Sequence, residues 1–469
     1  MRNIQYIFTL LLIILIEAAV LSVEAQDISI RKMETNKFAQ SNMAPVVFDS
    51  TLIFTSNMRL STFENYFNSD GSYVYKLYQV QLSNNKPIGN PTPFLKQQSG
   101  KFNIGSATIS GDGKYMVVCQ NSSDQLKNSN GKRGNTYSLY FSERNLSGEW
   151  SRLKPLPLKF KRLTNVVHPA LSKNGNMLAF ASDASDGLGK FDIYISQKVE
   201  GVWQEPKNMG KNINSEGNDL FPFFLNDKKL YFSTDGRKGF GGMDIYSSTL
   251  KSSWLEPEIL EAPINSSAND FGVYIYDNEI SGFVSSDRKS SDDIYFFEYT
   301  FPSFEAAEPQ IIDTFCYQFS ETSTEASENL VYMWNFGDGG TAKGLEAEHC
   351  FVGPGQYKVF LNVYDPISKE ELYSVANYDL ELDYTQQVFI TCPDTVKVGQ
   401  EFTLDAKSSN LGSLAPKDFF WIIANKDKRI GEQISYSFVK RGVYTILCGV
   451  VSRENPNERM ASTRLIVVE

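Results

Sequence analysis

Between residues 180 and 287 the sequence repeats with a period of 52 residues. Three strand-like runs end in S-x-D, namely FASD (180–183), FSTD (232–235) and VSSD (284–287), at spacings of 52 and 52. A Gly- or Ser-rich loop and an Asp-Ile-Tyr triplet follow each run, and the triplets begin at Asp192, Asp244 and Asp293. Tandem units of about 40–50 residues are typical of radial or stacked repeat folds.

Each unit predicts four short strands. The run HPALSKNGNMLAF before FASD joins two apolar segments through Asn-Gly, which predicts a tight hairpin. Two looser copies, with triplets ending at Tyr78 and Tyr140, precede the three clear ones. The sequence therefore predicts an all-β fold that begins with a five-bladed β-propeller at residues 26–301. A β-sandwich array is the alternative, but the constant phase of S-x-D and Asp-Ile-Tyr favours radial repetition.

Closure of the ring can be predicted as well. Residues 27–37 precede the first blade and are expected to supply the outer strand of the last one, which would remove an exposed sheet edge.

The segments HPALSKNGNMLAFASD and GNDLFPFFLNDKKLYFSTDGRKGFGGMDIY resemble the PD40, or TolB-type, WD40-like repeat. The resemblance implies a rigid disc whose loops and central mouth bind another protein.

The repeat stops near residue 301, and a glycine-rich stretch, WNFGDGG (334–340), stands out after it. Together with HCFVGPGQY (349–357) it resembles the PKD domain, an Ig-like sandwich, which predicts a sandwich at residues 302–385. Residues 386–469 keep the same strand order and resemble a second, degenerate copy. No helix or correctly placed lysine follows the glycines, so a phosphate loop is excluded. A structural turn is expected, with calcium at Asp338 as the alternative.

The composition excludes one class of partner. The chain has 469 residues, 45 basic and 55 acidic side chains, and a formal net charge of −10. Without a basic patch, nucleic acid is not expected to bind. The first 25 residues combine Arg2, an apolar run and a VEA exit ending at Ala25, which predicts a cleaved signal peptide. An uncleaved anchor is the alternative, and the protein is expected to be exported.

Five cysteines in an exported chain allow disulfides but leave at least one unpaired within the chain. Cys316 and Cys350 fall on strands that should be neighbours in the first predicted sandwich, so we expect a disulfide between them. Whether Cys392 pairs with Cys448 stays open. Cys119 lies in an apolar strand and is expected to be a buried free thiol.

Residues suited to catalysis are scarce. The two histidines, His168 and His349, both stand at repeat or motif positions, and the chain has no nucleophile elbow and no His-x-x-x-His or Cys-x-x-Cys pattern. The aspartates repeated in every unit are expected to satisfy turn amides, with paired carboxylates for glycoside chemistry as the alternative. The sequence thus predicts no catalytic residue, no cofactor, no metal site and a protein that is not an enzyme.

The resemblances point to a function in the cell envelope. PD40 repeats followed by PKD domains are similar to envelope proteins of gliding, type IX-secreting Bacteroidota, although no OmpA-like domain is recognisable here. We therefore expect a non-enzymatic protein-interaction scaffold, periplasmic, outer-membrane-associated or at the cell surface, that contacts outer-membrane or secretion-machinery proteins through Arg237, Phe240 and Arg288. The alternative is a secreted glycan-binding protein or a polysaccharide-degrading enzyme on a propeller. The partner and the oligomeric state are not predictable.

Overall fold

A computed structural model describes residues 28–35, 41–59, 66–68, 71–95, 102–127, 133–160, 164–304, 307–322, 329–455 and 457–469. The predicted signal peptide, residues 1–25, lies outside the described residues. In these ranges the regular secondary structure is β-strand throughout, without a helix. The chain divides into two compact units, one ending at Phe301 and the other spanning Pro302–Glu469.

Five sheets form the first unit, and each corresponds to one blade. The first strand in the chain is β1 (Ile28–Lys32). Blade 1 consists of β2 (Asn42–Phe48), β3 (Thr51–Ser56), β4 (Lys76–Ser83) and β5 (Lys86–Pro93). Blade 2 consists of β6 (Ile104–Ile109), β7 (Tyr115–Lys127), β8 (Arg133–Glu143) and β9 (Lys154–Pro155). Blade 3 consists of β10 (Val166–Leu171), β11 (Met177–Ser182), β12 (Asp192–Val199), β13 (Val202–Trp203) and β14 (Lys207–Asn208). Blade 4 consists of β15 (Asp219–Asn226), β16 (Lys229–Thr234), β17 (Asp244–Thr249) and β18 (Glu258–Ile259). Blade 5 consists of β19 (Asp270–Ile275), β20 (Ser281–Ser286) and β21 (Asp293–Tyr299), with β1 as its fourth strand.

The blades are arranged in a closed ring. Their first strands contact one another in the cyclic order β2, β6, β10, β15, β19 and again β2. A separate apolar cluster lies between each pair of neighbouring blades, including the pair formed by the last and the first. β1 pairs antiparallel with β21, from Ile28 opposite Tyr299 to Lys32 opposite Tyr295. The all-β class, the propeller and its closure by an N-terminal strand are thereby confirmed.

The innermost strand of every blade is interrupted at the same point. The register with the second strand shifts at residues 43–46, 104–107, 167–170, 220–223 and 271–274. Within these bulges Ala44, His168 and Phe221 have φ values of 53°, 52° and 51°, in the left-handed region that residues other than glycine rarely adopt. A bulge re-aims the side chains beside it, and here it recurs around the ring where the five strands meet.

The second unit contains four sheets. Its first part is built from β22 (Glu308–Pro309), β23 (Cys316–Ser320), β24 (Val331–Asn335), β25 (Thr341–Lys343), β26 (Glu346–Cys350), β27 (Gly355–Tyr364) and β28 (Glu371–Leu382). Its second part is built from β29 (Thr395–Val396), β30 (Phe402–Asp405), β31 (Pro416–Ile423), β32 (Asp427–Ile430), β33 (Gln433–Tyr436), β34 (Gly442–Ser452) and β35 (Arg459–Val468). β22 pairs in parallel with β35, so a strand from the start of the unit completes a sheet near its end.

Each part has its own core around one tryptophan. Trp334 and Trp421 are 2% and 0% exposed, and each lies in a separate apolar cluster. β23 and β26 place Cys316 directly opposite Cys350, and the structure joins the two in a disulfide. Cys392 and Cys448 are free.

The stretch WNFGDGG is a turn that leads out of β24. Gly337 and Gly339 have φ values of 80° and 93°, which explains the need for glycine. Asp338 accepts a hydrogen bond from the Gly340 amide, and its other oxygen lies 2.7 Å from Nε2 of His349. The predicted structural turn, with Asp338 as a cap of a free amide, is confirmed.

Candidate functional site

The centre of the propeller holds two cavities that meet at one constriction. The bulges place five residues in the channel, and we call this set the constriction: Ala44, Ser106, His168, Phe221 and Gly272. The rings of His168 and Phe221 stack there, with centroids 3.6 Å apart and an angle of 17°. Four of the five residues, all except Gly272, line both cavities. The constriction therefore separates the two ends of the channel.

One cavity, the mouth cavity, opens where the innermost strands begin. Its volume is about 450 Å³, within the range of small-molecule sites. Besides constriction residues it is lined by Met43, Thr55, Tyr75, Asn103, Gly105, Cys119, Tyr137, Asn165, Val167, Phe191 and Leu220. A concave surface with aromatic side chains and a few polar groups is the usual form of a binding site.

Three aromatic residues form the wall of the mouth cavity, and all three occupy one position of the repeat. Tyr75, Tyr137 and Phe191 each stand directly before the triplet that opens or continues the third strand of blades 1, 2 and 3. The same position holds Met243 in blade 4 and Asp292 in blade 5. The blade framework is thus repeated while this wall position varies.

Asparagines from the next blade hold the two tyrosines in place. Oδ1 of Asn103 accepts a hydrogen bond from the backbone amide of Tyr75 at 2.8 Å, and Oδ1 of Asn165 accepts one from the amide of Tyr137 at 3.1 Å. Nδ2 of Asn165 donates to Asp183. The backbone of each tyrosine is fixed by an asparagine of the neighbouring blade. The packing of the blades therefore determines where the aromatic side chain starts.

The floor of the mouth cavity carries polar atoms without a partner. Oγ1 of Thr55, Oγ of Ser106 and Nδ1 of His168 are buried and have no hydrogen bond among the described residues. Burial lowers the pKa of His168 to about 3, so its imidazole is neutral at physiological pH and offers one donor and one acceptor. Unpaired buried polar atoms are uncommon in folded proteins and mark positions that call for an explanation.

The mouth cavity is uncharged. No acidic or basic side chain is among its described lining residues. Burial raises the pKa of the Cys119 thiol to about 12 and also raises the pKa of Tyr137, so both stay protonated.

The aspartate of S-x-D accepts hydrogen bonds from the backbone amide and the side chain of an asparagine in three blades. The pairs are Asn165–Asp183, Asn218–Asp235 and Asn269–Asp287. The repeated aspartates satisfy amides, as the sequence predicts.

The other cavity, the turn-side cavity, has a different character. Its volume is about 340 Å³, and its walls combine aliphatic side chains of the innermost strands with the aromatic rings of Phe48, Phe221, Phe223, Phe224 and Tyr274. Charged residues stand at its rim, where Nζ of Lys173 lies 2.7 Å from Asp277 across the ring. The mouth cavity lacks charged lining residues among those described, and it alone includes Thr55 with its unpaired hydroxyl, so we take it as the better candidate site.

Two of the predicted contact residues, Arg237 and Arg288, form hydrogen bonds within the propeller. Arg237 donates to the carbonyls of Asn212 and Ile213 and pairs with Glu256. The guanidinium of Arg288 donates to two backbone carbonyls and to the buried carboxylate of Asp270. Their side chains are only 18% and 14% exposed.

Both guanidinium groups therefore stabilise loops of the propeller itself. That Arg237 and Arg288 contact a partner stays a prediction. Phe240 is 51% exposed and stays a predicted contact residue.

The described ranges hold neither a cluster of metal ligands nor a membrane-spanning helix. No group of three or more His, Cys, Asp or Glu side chains there is arranged to hold a metal ion. No helix in those ranges has the length and apolar character to cross a membrane.

The sequence missed the residues that form the mouth cavity. His168 was expected to have a structural role, yet its Nδ1 is an unpaired atom at the floor. The three wall aromatics carry no motif. The available signal is their position, since comparing the residue before each Asp-Ile-Tyr-like triplet shows an otherwise regular repeat becoming irregular there.

The turn geometry at Trp334 to Gly340 agrees with a comparison against known families. Residues 300–371 match the PKD domain. The predicted PKD resemblance is thereby confirmed for this part of the chain. A comparison with curated protein sequences gives no significant match. The PD40 resemblance, and the bacterial group that it implies, stay predictions.

Several solved structures share a low similarity with the chain. The α-L-arabinofuranosidase from Lactobacillus brevis is 12% identical, with a TM-score of 0.37, over 56% of this chain and 92% of the enzyme. The α-L-arabinofuranosidase PaAbf62A from Podospora anserina is 11% identical, with a TM-score of 0.36, over 57% and 93%. The GH43 endo-arabinanase from Bacillus licheniformis is 11% identical, with a TM-score of 0.33, over 58% and 97%.

These matches are to glycoside hydrolases, and they contradict the prediction that the chain is not an enzyme. That prediction is withdrawn. At such identities and TM-scores, no activity, substrate or site residue is carried over from these enzymes to this chain.

Proposed function

We propose that the protein is an exported glycan-binding protein whose site is the mouth cavity of the propeller. The observation that carries this proposal is the set of three aromatic residues, Tyr75, Tyr137 and Phe191, at one repeat position of three successive blades. Sugars present apolar C–H faces, which pack on aromatic rings, and hydroxyl edges, which need hydrogen bonds. The mouth cavity offers both kinds of contact.

The fixed backbone of the wall residues supports the same proposal. Asn103 and Asn165 hold the amides of Tyr75 and Tyr137, so little ordering is needed when a ligand stacks on the rings. A preorganised site loses less entropy on binding than a flexible one. Attachment to a cell-envelope partner stays a separate prediction, with Arg237, Phe240 and Arg288 as the predicted contacts.

A glycan panel tests the proposal directly. The purified chain without residues 1–25 is screened against neutral and acidic oligosaccharides and polysaccharides, and the affinity of each hit is measured by calorimetry. Tyr75→Ala and Tyr137→Ala are each expected to weaken binding about tenfold, the size of one aromatic stacking contact. Phe240→Ala, which removes an exposed ring outside the mouth cavity, is the matched control and should leave the affinity unchanged.

Two results would overturn the proposal: no glycan in the panel binds, or both tyrosine variants bind as well as the natural protein while retaining its thermal stability. Reducing ends released during the same incubations report whether binding is accompanied by hydrolysis.

A further inference from the structure

The mouth cavity is blind at its inner end. Ala44, Ser106, His168 and Phe221 line it on one side and the turn-side cavity on the other, and the His168 and Phe221 rings are in stacking contact at 3.6 Å. Gly272 lies close to two of these residues, because a Cβ on it would lie 3.3 Å from Ala44 and 3.4 Å from Phe221. A linear polymer cannot pass through such a cavity. It can enter only by an end.

Residues with unpaired polar atoms lie at this inner end, where Thr55 lines the mouth cavity and Ser106 and His168 line both cavities. Thr55 and Ser106 are 4% and 8% exposed, and neither hydroxyl has a partner within the described part of the propeller. A buried hydroxyl that lacks a hydrogen bond destabilises the fold, and an apolar residue of the same shape would remove that penalty. With Nδ1 of His168, these atoms supply hydrogen-bonding capacity that the described residues leave unused.

The electrostatics of the mouth cavity define the ligand further. A charged group that entered would lose its hydration and find no opposite charge among the described lining residues. Asp183, the S-x-D carboxylate next to the lining residue Asn165, is already bonded to both nitrogens of Asn165. The ligand that suits this cavity is uncharged and rich in hydroxyls.

We propose that the mouth cavity recognises the uncharged terminal residue of a glycan chain, with the hydroxyls of that residue bonded to Thr55, Ser106 and His168 at the floor. This inference rests on the proposed glycan-binding function and adds that the recognised feature is a chain end. The wall aromatics then contact the terminal residue and the unit behind it.

Counting binding sites on a polymer separates a chain end from an internal segment. A neutral polysaccharide that binds is titrated by calorimetry before and after partial depolymerisation, at equal mass. Binding equivalents that rise in proportion to the number of chain ends support the inference. Equivalents that follow mass and not chain ends overturn it while leaving glycan binding intact. Absence of binding by every neutral glycan overturns the inference together with the proposed function.

Two threonine variants test the floor with opposite expectations. Thr55→Val removes an unpaired hydroxyl, so the melting temperature should be unchanged or higher, while the affinity for the glycan should fall about tenfold. Thr108→Val is the control, because Thr108 lines the turn-side cavity and accepts a hydrogen bond from the Leu171 amide. It should lower the melting temperature and leave the affinity unchanged.

Ser106→Ala repeats the floor test at a second hydroxyl and should again weaken binding without loss of stability. The inference is overturned if Thr55→Val and Ser106→Ala, both folded, bind the glycan as tightly as the natural protein does.

Discussion

The propeller and the C-terminal unit both contain repeated structures. They differ in how far the same residue types form the same hydrogen bonds in each repeat. In the propeller the same asparagine–aspartate clamp recurs in blades 3, 4 and 5, with the same atoms bonded at 2.6–2.8 Å. In the C-terminal unit the two copies share the bond from the tryptophan Nε1 to a glycine carbonyl, at Trp334 and Trp421. The neighbouring contact is His349 with Asp338 in the first copy and Tyr436 with Asp427 in the second.

The difference follows from the number of structural units that each hydrogen-bonding residue connects. The asparagine of a clamp also binds the previous blade, as Asn165 binds the Tyr137 amide and Asn269 binds the Met243 amide. A change there disturbs two blades at once. Each histidine or tyrosine contact lies within one copy, so another pair of residues can replace it. Repetition in a ring therefore constrains framework residues, while a position such as Tyr75, which points into the mouth, is left to vary.

The largest expected effect concerns the disulfide, which only the C-terminal unit has among the described residues. Replacing Cys316 and Cys350 by serine opens a loop of 34 residues and should lower the unfolding free energy of that unit by about 3–4 kcal/mol. Calorimetry should show one transition moving and the propeller transition unchanged. Cys392→Ser, at a free cysteine, is the control and should have little effect.

Alkylation of the unreduced, denatured protein gives an independent check of the same bond. Three of the five thiols should react. Reaction of both Cys316 and Cys350 would show that the disulfide is absent.

An intermediate effect is expected at a propeller clamp. Asp287→Ala removes two hydrogen bonds to Asn269 and should destabilise the propeller by about 1–2 kcal/mol, while the C-terminal unit keeps its stability. Asp287→Asn keeps one acceptor oxygen and should cost less. If both variants melt with the natural protein, the clamps do not hold the blades together.

The smallest expected effect is an acid sensitivity that distinguishes the two copies in the C-terminal unit. The hydrogen bond with His349 lowers the pKa of Asp338 below its usual value. The resulting stabilisation is present above about pH 4 and is lost as the pH falls through the lowered pKa; it is about 1 kcal/mol or less at this surface site.

Asp338→Asn should therefore reduce the loss of stability of the C-terminal unit between pH 5 and pH 3. Burial raises the pKa of Tyr436 in the second copy, so that hydroxyl keeps its proton over the whole range. Urea unfolding at several pH values measures both. An identical pH dependence of the natural and Asp338→Asn proteins would remove the distinction.

The sequence was most informative where residues serve the framework. The period of 52, the Asn-Gly hairpins and Asp-Ile-Tyr determine strand order. The first strand could be assigned to the last blade because it precedes the first blade and removes an exposed sheet edge. The WNFGDGG turn was predictable because glycine is needed at its left-handed positions.

The mouth cavity was not predictable, for two physical reasons. It is assembled from single residues of several blades, and Tyr75, Tyr137 and Phe191 are ordinary residues in or directly before third strands until the ring brings them together. The left-handed bulges that turn His168 and Phe221 into the channel have no recognisable motif.

Hydroxyl-radical footprinting of the protein, with and without a saturating glycan from the panel, tests the central claim most directly. Tyr75 and Tyr137 line the mouth cavity, and Tyr274 lines the turn-side cavity, so the three tyrosines report on the two ends of the channel within one sample. The account predicts that the glycan protects Tyr75 and Tyr137 from oxidation and leaves Tyr274 unchanged. Protection of Tyr274, or equal oxidation of all three with and without glycan, would contradict it.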